Sequence, residues 1–344
     1  MTMIQRISGD MTWEQMLKLN SQETLLMLCQ RLKLEEVWQD SMMELSAFLE
    51  KYLIEYPEKI LLLLSKEDLN ILFQIWGKGN SLDFSYMDQR NLASLEKLGF
   101  IRYSHSYKTI TVNEEAKNNF YFYLKSKSAR KKIQFYQDLE YAVKGILYQC
   151  GIIEFPQLCD ILLKGGEDIS QSMMLEFLIG RMELWSFLGI LKNTKTQVTY
   201  LESCEVKERE YVFRGWLNNG ERPFHRISVD EATLIGKMNG IGNWKGTKEM
   251  LRLGLTKVFG DVLPATVFVK TILLYIQNGD TMEELEKKLK SKTSDFSEEE
   301  ITQFREYLND MYWHTPLFYF KGYTRWEIEQ EEHKFSVIDG GKKD

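Results

Sequence analysis

Apolar residues recur at helical spacing along most of the chain, interrupted in two places by short runs rich in β-formers. After Asn20, the residues Leu25, Leu28, Cys29 and Leu32 fall on one face of a 3.6-residue period. Asn20 and Glu23 have capping-box spacing, in which each side chain satisfies the other residue's free backbone N–H. A turn over Leu34–Gln39 then leads to a second helix, Ser41–Glu55, striped by Leu45, Phe48, Leu49 and Leu53 and stopped before Pro57. Residues 12–57 therefore read as a short helical hairpin.

Residues 58–135 open with a helix over Lys66–Trp76, N-capped by Ser65 and broken at Gly77 and Gly79. A helix over Tyr86–Leu98 follows and ends at Gly99. The run FIRYSHSYKTITV predicts a β-hairpin turning at Ser104–Ser106. Asn113 then opens a helix that carries into the basic stretch Lys125–Lys132. Residues 136–215 repeat the pattern, with helices over Leu139–Gln149, Phe155–Leu163 and Gln171–Phe187. Two strands follow around a turn at Asn193–Lys195. The joins correspond: Leu98-Gly99-Phe100-Ile101 matches Leu188-Gly189-Ile190-Leu191. Helices followed by a two-stranded wing predict a winged-helix-like unit in each segment. Residues 228–332 read as an all-helical C-terminal domain, punctuated by capping boxes at Ser228/Glu231, Ser297/Glu300 and Thr324/Glu327. Acids outnumber bases from Asp280 onward, and Asp339–Asp344 reads as a frayed tail. The predicted fold class is mainly α, with α+β winged-helix-like units bearing short β-hairpin wings.

Composition adjusts this picture in a few respects. With 344 residues, of which 44% are hydrophobic, the chain can bury more than one core. Only 5 prolines stand against 19 Phe and 17 Tyr, which favours helices over a loop-rich scaffold. The longest apolar runs, Ile60–Leu64 and Val267–Ile276, fall short of the roughly 20 residues of a spanning helix. The start has no apolar core of signal-peptide length, and the four cysteines have no paired spacing. A cytoplasmic protein without membrane contact is expected.

The candidate chemistry is sparse. Cys150 and Cys159 stand nine apart, the histidines (His105, His225, His314, His333) are isolated, and no close ligand pairs exist, so no metal is expected. The run GIGNWKG has neither a preceding strand nor a phosphate-loop lysine, so no cofactor is expected. No serine elbow or Cys–His pair marks a catalytic site. A net charge of -6 argues against a protein coated in nucleic acid. The helix before the second wing carries Arg181 beside Glu176 and Glu183, poor equipment for reading bases. The strongest nucleic-acid signal lies in 101–135. There Arg102, Lys108, Lys117, Lys125, Lys127, Arg130, Lys131 and Lys132 meet only Glu114 and Glu115, with Tyr103, Tyr107 and Phe120–Tyr123 interleaved. Cations for phosphates and rings for bases suit a single strand or RNA. Of these, Arg102, Lys108, Tyr121, Lys125, Lys127, Arg130, Lys131 and Lys132 are the candidate contacts.

The run LLMLCQRLKLEEVWQDSMMELSAFLEKYL resembles the small helical module at the start of transcription terminator Rho, itself akin to SAP modules. Such modules recur beside winged-helix-like segments in multi-module bacterial proteins. The family carries Gly and Lys at the turn, where this chain has Glu35, Glu36 and Asp40, so the family's nucleic-acid contact is not carried over. The run YWHTPLFYFKGYTRWEI is similar to a Pro-aromatic-Gly-x-Thr/Ser-x-x-Glu ending found in some of these proteins, including ones that continue into a zinc-binding SEC-C tail. The ligands of that tail have no counterpart here. The expected function is a non-enzymatic, macromolecular interaction protein that binds another protein. The alternative is a DNA- or RNA-associated regulator acting through 101–135.

Overall fold

The structure, a computed structural model, describes residues 2–7, 11–77, 81–82, 89–104, 109–163, 170–181, 188–192, 197–219, 222–294 and 296–331. The chain divides into two compact units, each discontinuous in sequence. The first comprises 1–138 with 169–186, the second 139–168 with 187–344. Helices dominate both, and the strands form two small sheets, so the mainly α expectation holds. No helix among the described residues is long and apolar enough to cross a membrane.

In the first unit, strand β1 (Thr2–Ile7) precedes α1 (Trp13–Lys18), α2 (Gln22–Arg31), α3 (Glu35–Ser41), α4 (Leu45–Glu55), α5 (Ile60–Leu63) and α6 (Lys66–Gly77). Then come β2 (Ser81–Leu82), α7 (Gln89–Lys97), β3 (Ile101–Ser104), β4 (Thr109–Asn113), α8 (Glu114–Lys125) and α9 (Lys127–Cys150). The sheet order is β2-β1-β4-β3, with β1 parallel to β4 from Met3 opposite Thr109 to Ile7 opposite Asn113. Trp13, fully buried, organises the core beside this sheet. Its indole N–H donates to the Leu98 carbonyl at 2.8 Å, and its ring lies 5.0 Å from Phe120, edge to face. The leucine-rich stripes of α2 and α4 pack against each other, and α5 is wholly buried.

The second unit begins inside α9, continues through β5 (Ile152–Glu154) and α10 (Phe155–Leu163), and resumes after α11 (Gln171–Arg181), which belongs to the first unit. Strands β6 (Leu188–Lys192) and β7 (Thr199–Ser203) form an antiparallel hairpin, and β5 pairs with β7 to give the order β5-β7-β6. Helices α12 (Arg209–Asn218), α13 (Val229–Lys237) and α14 (Thr247–Leu253) follow. A π-helical turn over Gly254–Phe259 then leads to α15 (Val262–Gln277), α16 (Met282–Leu289) and α17 (Glu298–His314). Their core gathers Met250, Val269, Ile272, Ile276, Leu308 and Met311 around Leu317. The aromatic ending docks here: Phe318 is fully buried, and the Trp216 indole donates to its carbonyl at 3.1 Å.

Several local expectations shift. Ser21, not Asn20, caps α2: its hydroxyl accepts from the Thr24 N–H, while the Asn20 amide reaches across to the Lys97 carbonyl at 3.0 Å. The turn expected over Leu34–Gln39 is largely helix α3, and α4 starts at Leu45 rather than Ser41. The helix expected over Leu139–Gln149 begins a dozen residues earlier, at Lys127, because Ser126 adopts an extended ψ of 156° and its hydroxyl accepts from the Ala129 N–H. The boxes at Ser297 and Thr324 form as expected, and Ser228 caps α13. The hairpin turns expected at Ser104–Ser106 and Asn193–Lys195 fall wholly or partly outside the described residues.

Candidate functional site

The two-helix step from α8 to α9 holds most of the sequence-predicted contacts. Arg102 is half-buried on β3, opposite Thr111 of β4. Lys108 lies outside the described residues. Tyr121 is half-buried. Its ring packs 6.0 Å from Trp76, and the Lys125 ammonium covers it at 4.2 Å. Lys127, Arg130 and Lys131 share one exposed face of the first turns of α9, opposite the buried Ala129, Ile133 and Tyr136. The side chains of these three cations make no ion pair or hydrogen bond among the described residues. Lys66 of α6 joins this face, its ammonium 3.3 Å from the Gln134 amide oxygen. Lys132 turns aside over the Tyr136 ring at 5.8 Å. Cations in the first turn of a helix oppose its dipole, so they do not serve helix stability.

Sequence reasoning grouped Phe122 with its aromatic neighbours, yet the structure separates it from them. Phe120 is fully buried and Tyr121 covered, whereas Phe122 is 82% exposed. Asn118 and Asn119, both exposed, stand one turn before it and Lys125 one turn after. Helical spacing could have marked this face, because 118, 122 and 125 alternate with the apolar positions 116, 120 and 124.

A second surface lies on the second unit and carried no sequence signal beyond an apolar run. A groove of about 460 Å³ is lined by Phe259, Leu263, Val267, Tyr275, Lys288 and Lys292, with other apolar groups. Leu263 is 71% and Val267 57% exposed, and Val262 beside them is 64% exposed. Asp261 starts α15 by accepting from the Leu263 N–H at 3.2 Å, which fixes these side chains in the first turns. The groove ends on a cationic edge. Lys207 and Lys288 flank the Tyr275 ring at 4.3 Å and 4.5 Å, and exposed Lys292 has no ion-pair partner among the described residues. Of the apolar run Val267–Ile276, only Phe268, Val269, Ile272, Leu273 and Ile276 are buried.

Two polar clusters stand out elsewhere among the described residues. Tyr148 donates to the Asn239 amide oxygen at 2.8 Å, and Lys270 pairs with Glu205 at 3.0 Å beside it. Burial pushes the Tyr148 phenol well up, so it stays protonated. His225 bridges the Gln149 amide and the Glu327 carboxylate at 3.3 Å and 3.0 Å. Burial raises Glu327, but hydrogen bonds from His225 and from the Thr324 cap outweigh it and hold the carboxyl at about 2. Burial pushes the Cys29 thiol up to about 12 and Cys159 to about 11, so neither is a ready thiolate. Among the described residues, no three His, Cys, Asp or Glu side chains could hold a metal ion together. No protein-family model, no curated protein and no solved structure matches the chain.

Proposed function

We propose that this chain is a non-enzymatic interaction protein whose second unit docks a short amphipathic helical segment of a protein partner along α15. The observation that carries the reading is the exposure of Val262, Leu263 and Val267 beside an apolar groove. Contiguous apolar surface of this kind marks interaction sites on soluble proteins. The π-helical turn that brings Phe259 to the groove is a rare element, found often at functional sites. The cationic edge, where Lys207 and Lys292 have no carboxylate partner among the described residues while Lys288 pairs with Asp280, calls for an acidic residue beside the partner's apolar anchors. Apolar anchors at i, i+3 or i+4 and i+7 are how a helix fills such a groove.

The wing-bearing segments fit the same reading. In residues 136–215 the β6–β7 hairpin, with β5 beside β7, supports a wing in the second unit, whereas α11 belongs to the first. Helix α11 buries Met174, Phe177, Leu178 and Gly180, and Arg31 donates twice to the Gly180 carbonyl. Only Gln171, Ser172 and Met173 of its described side chains are exposed, which favours a scaffolding role over base reading.

Peptide display against the full chain tests the proposal. Selection should recover helical peptides with apolar anchors at that spacing and a neighbouring Asp or Glu. Leu263→Asp and Val267→Asp should each weaken the selected peptides at least tenfold with an unchanged melting temperature, because both side chains are exposed. Peptides that bind these variants as well as the parent chain, or self-association abolished by the same changes, would overturn it.

A further inference from the structure

We infer that the α8–α9 step binds single-stranded nucleic acid, with Phe122 as its stacking platform and Lys125, Lys127, Arg130 and Lys131 as its phosphate contacts. The inference concerns the first unit and is independent of the groove on the second. Its foundation is the separation of one ring from an otherwise packed aromatic run. Phe120 is fully buried, Tyr123 is half-buried, and Tyr121 lies between Trp76 and the Lys125 ammonium. Phe122 alone of the four presents an open face, at 82% exposure, with Tyr121 set edge-on to it at 5.7 Å. A phenyl group left in water on a rigid helix gains nothing for folding. It offers a flat apolar surface to which any unpaired base can stack.

The surroundings of the ring match the rest of a nucleotide. Asn118 and Asn119, one turn earlier on the same face, each carry donors and an acceptor suited to base edges. Lys125, one turn later, begins a run of cations that continues across Ser126 into α9. No acid occurs between Glu115 and Asp138, although acids outnumber bases in the chain as a whole. Lys127, Arg130 and Lys131 have no carboxylate partner among the described residues. The span from Phe122 to Lys131 is about 14 Å at the helical rise, and the extended Ser126 lengthens it slightly, room for a short stretch of strand. Stacking selects unpaired bases, because a duplex hides its base faces. Charge alone would not discriminate between the two.

Fluorescence anisotropy of the full chain with labelled oligo(U), oligo(dT) and a mixed-sequence duplex tests this, with anionic phosphatidylserine vesicles as a further arm. Single strands should bind more tightly than duplex, and affinity should fall with salt at a log–log slope of about -3 for four phosphate contacts. Phe122→Ala should weaken single-strand binding about tenfold, and Phe122→Trp should restore it. Changing Lys127, Arg130 and Lys131 together to Ala should weaken it further and flatten the salt slope. The same change to the exposed Lys51 should alter nothing. The ratio of oligo(U) to oligo(dT) affinity assigns the strand as RNA or DNA. Binding to duplex as tight as to single strand, an unaffected Phe122→Ala variant, or binding to vesicles without binding to either oligonucleotide would overturn the inference. Melting curves of each variant confirm folding, which the exposure of all the altered side chains protects.

Discussion

Two glycines show how much a single side chain decides. A Cβ on Gly145 of α9 would sit 1.7 Å from the Ala232 carbonyl oxygen, and one on Gly236 of α13 would sit 2.0 Å from that of Tyr141. The two helices therefore meet backbone to backbone through a reciprocal pair of glycines. Gly145→Ala should lower stability by about 1–3 kcal/mol, since backbone rather than a flexible side chain would have to move. Gly77→Ala, in open space at the end of α6, should be neutral or stabilising by about 0.5–1 kcal/mol. Urea denaturation separates them, and equal midpoints would disprove the close approach. Glu327 makes a pH prediction. Its carboxyl ordinarily titrates at 4.5 and is held at about 2 in the folded chain. The carboxylate therefore stabilises the fold fully above pH 4.5, and that contribution fades as pH falls toward 2. In Glu327→Gln the dependence of stability on pH should flatten across that window, as read by unfolding at pH 2.5, 3.5 and 5. The glycine contacts were not legible in the sequence, because both glycines sit inside helices that periodicity describes without them. The Thr324 cap was legible, since its partner lies three residues away.

At the scale of elements, local chemistry was read well and distant pairing was not. The capping box at Ser297 forms with both bonds, the Glu300 N–H to the Ser297 hydroxyl at 3.3 Å and the Ser297 N–H to the Glu300 carboxylate at 2.9 Å. Ser297→Ala should destabilise α17 by about 1 kcal/mol, visible as a lower urea midpoint, and an unchanged midpoint would show that the helix start is held by packing alone. Strand β1 could not be seen in this way. Its partner β4 lies about a hundred residues away, and the six residues TMIQRI show no period-2 alternation by which a strand could declare itself. The basic stretch is the middle case. Its charges were plain in the sequence, but the extended Ser126 divides it between two helices, and only packing shows that Tyr121 is covered while Phe122 is open.

Over the whole molecule, the chain builds its first unit from two separated segments. Arg31, buried in α2, is satisfied by the Gly180 carbonyl of α11 through bonds of 2.8 Å and 2.6 Å, and Lys59 pairs with Glu176 of the same helix. A fragment ending at residue 138 would leave the Arg31 guanidinium and the buried face of α5 without α11. It should show weak near-ultraviolet dichroism and bind hydrophobic dyes, and a cooperative melt equal to that of the full chain would argue against the discontinuous unit. The sequence by itself determined the mainly helical class, the helix periods, the caps at Ser228, Ser297 and Thr324 and the two hairpins, because each depends on residues within a few positions of one another. Tertiary structure alone decided that β1 enters the first sheet, that α11 joins the first unit, that one aromatic ring of four in residues 120–123 stays open and that α15 leaves an apolar groove. Those outcomes depend on which surfaces meet across long stretches of chain, and periodicity records only that a face is apolar, never what covers it.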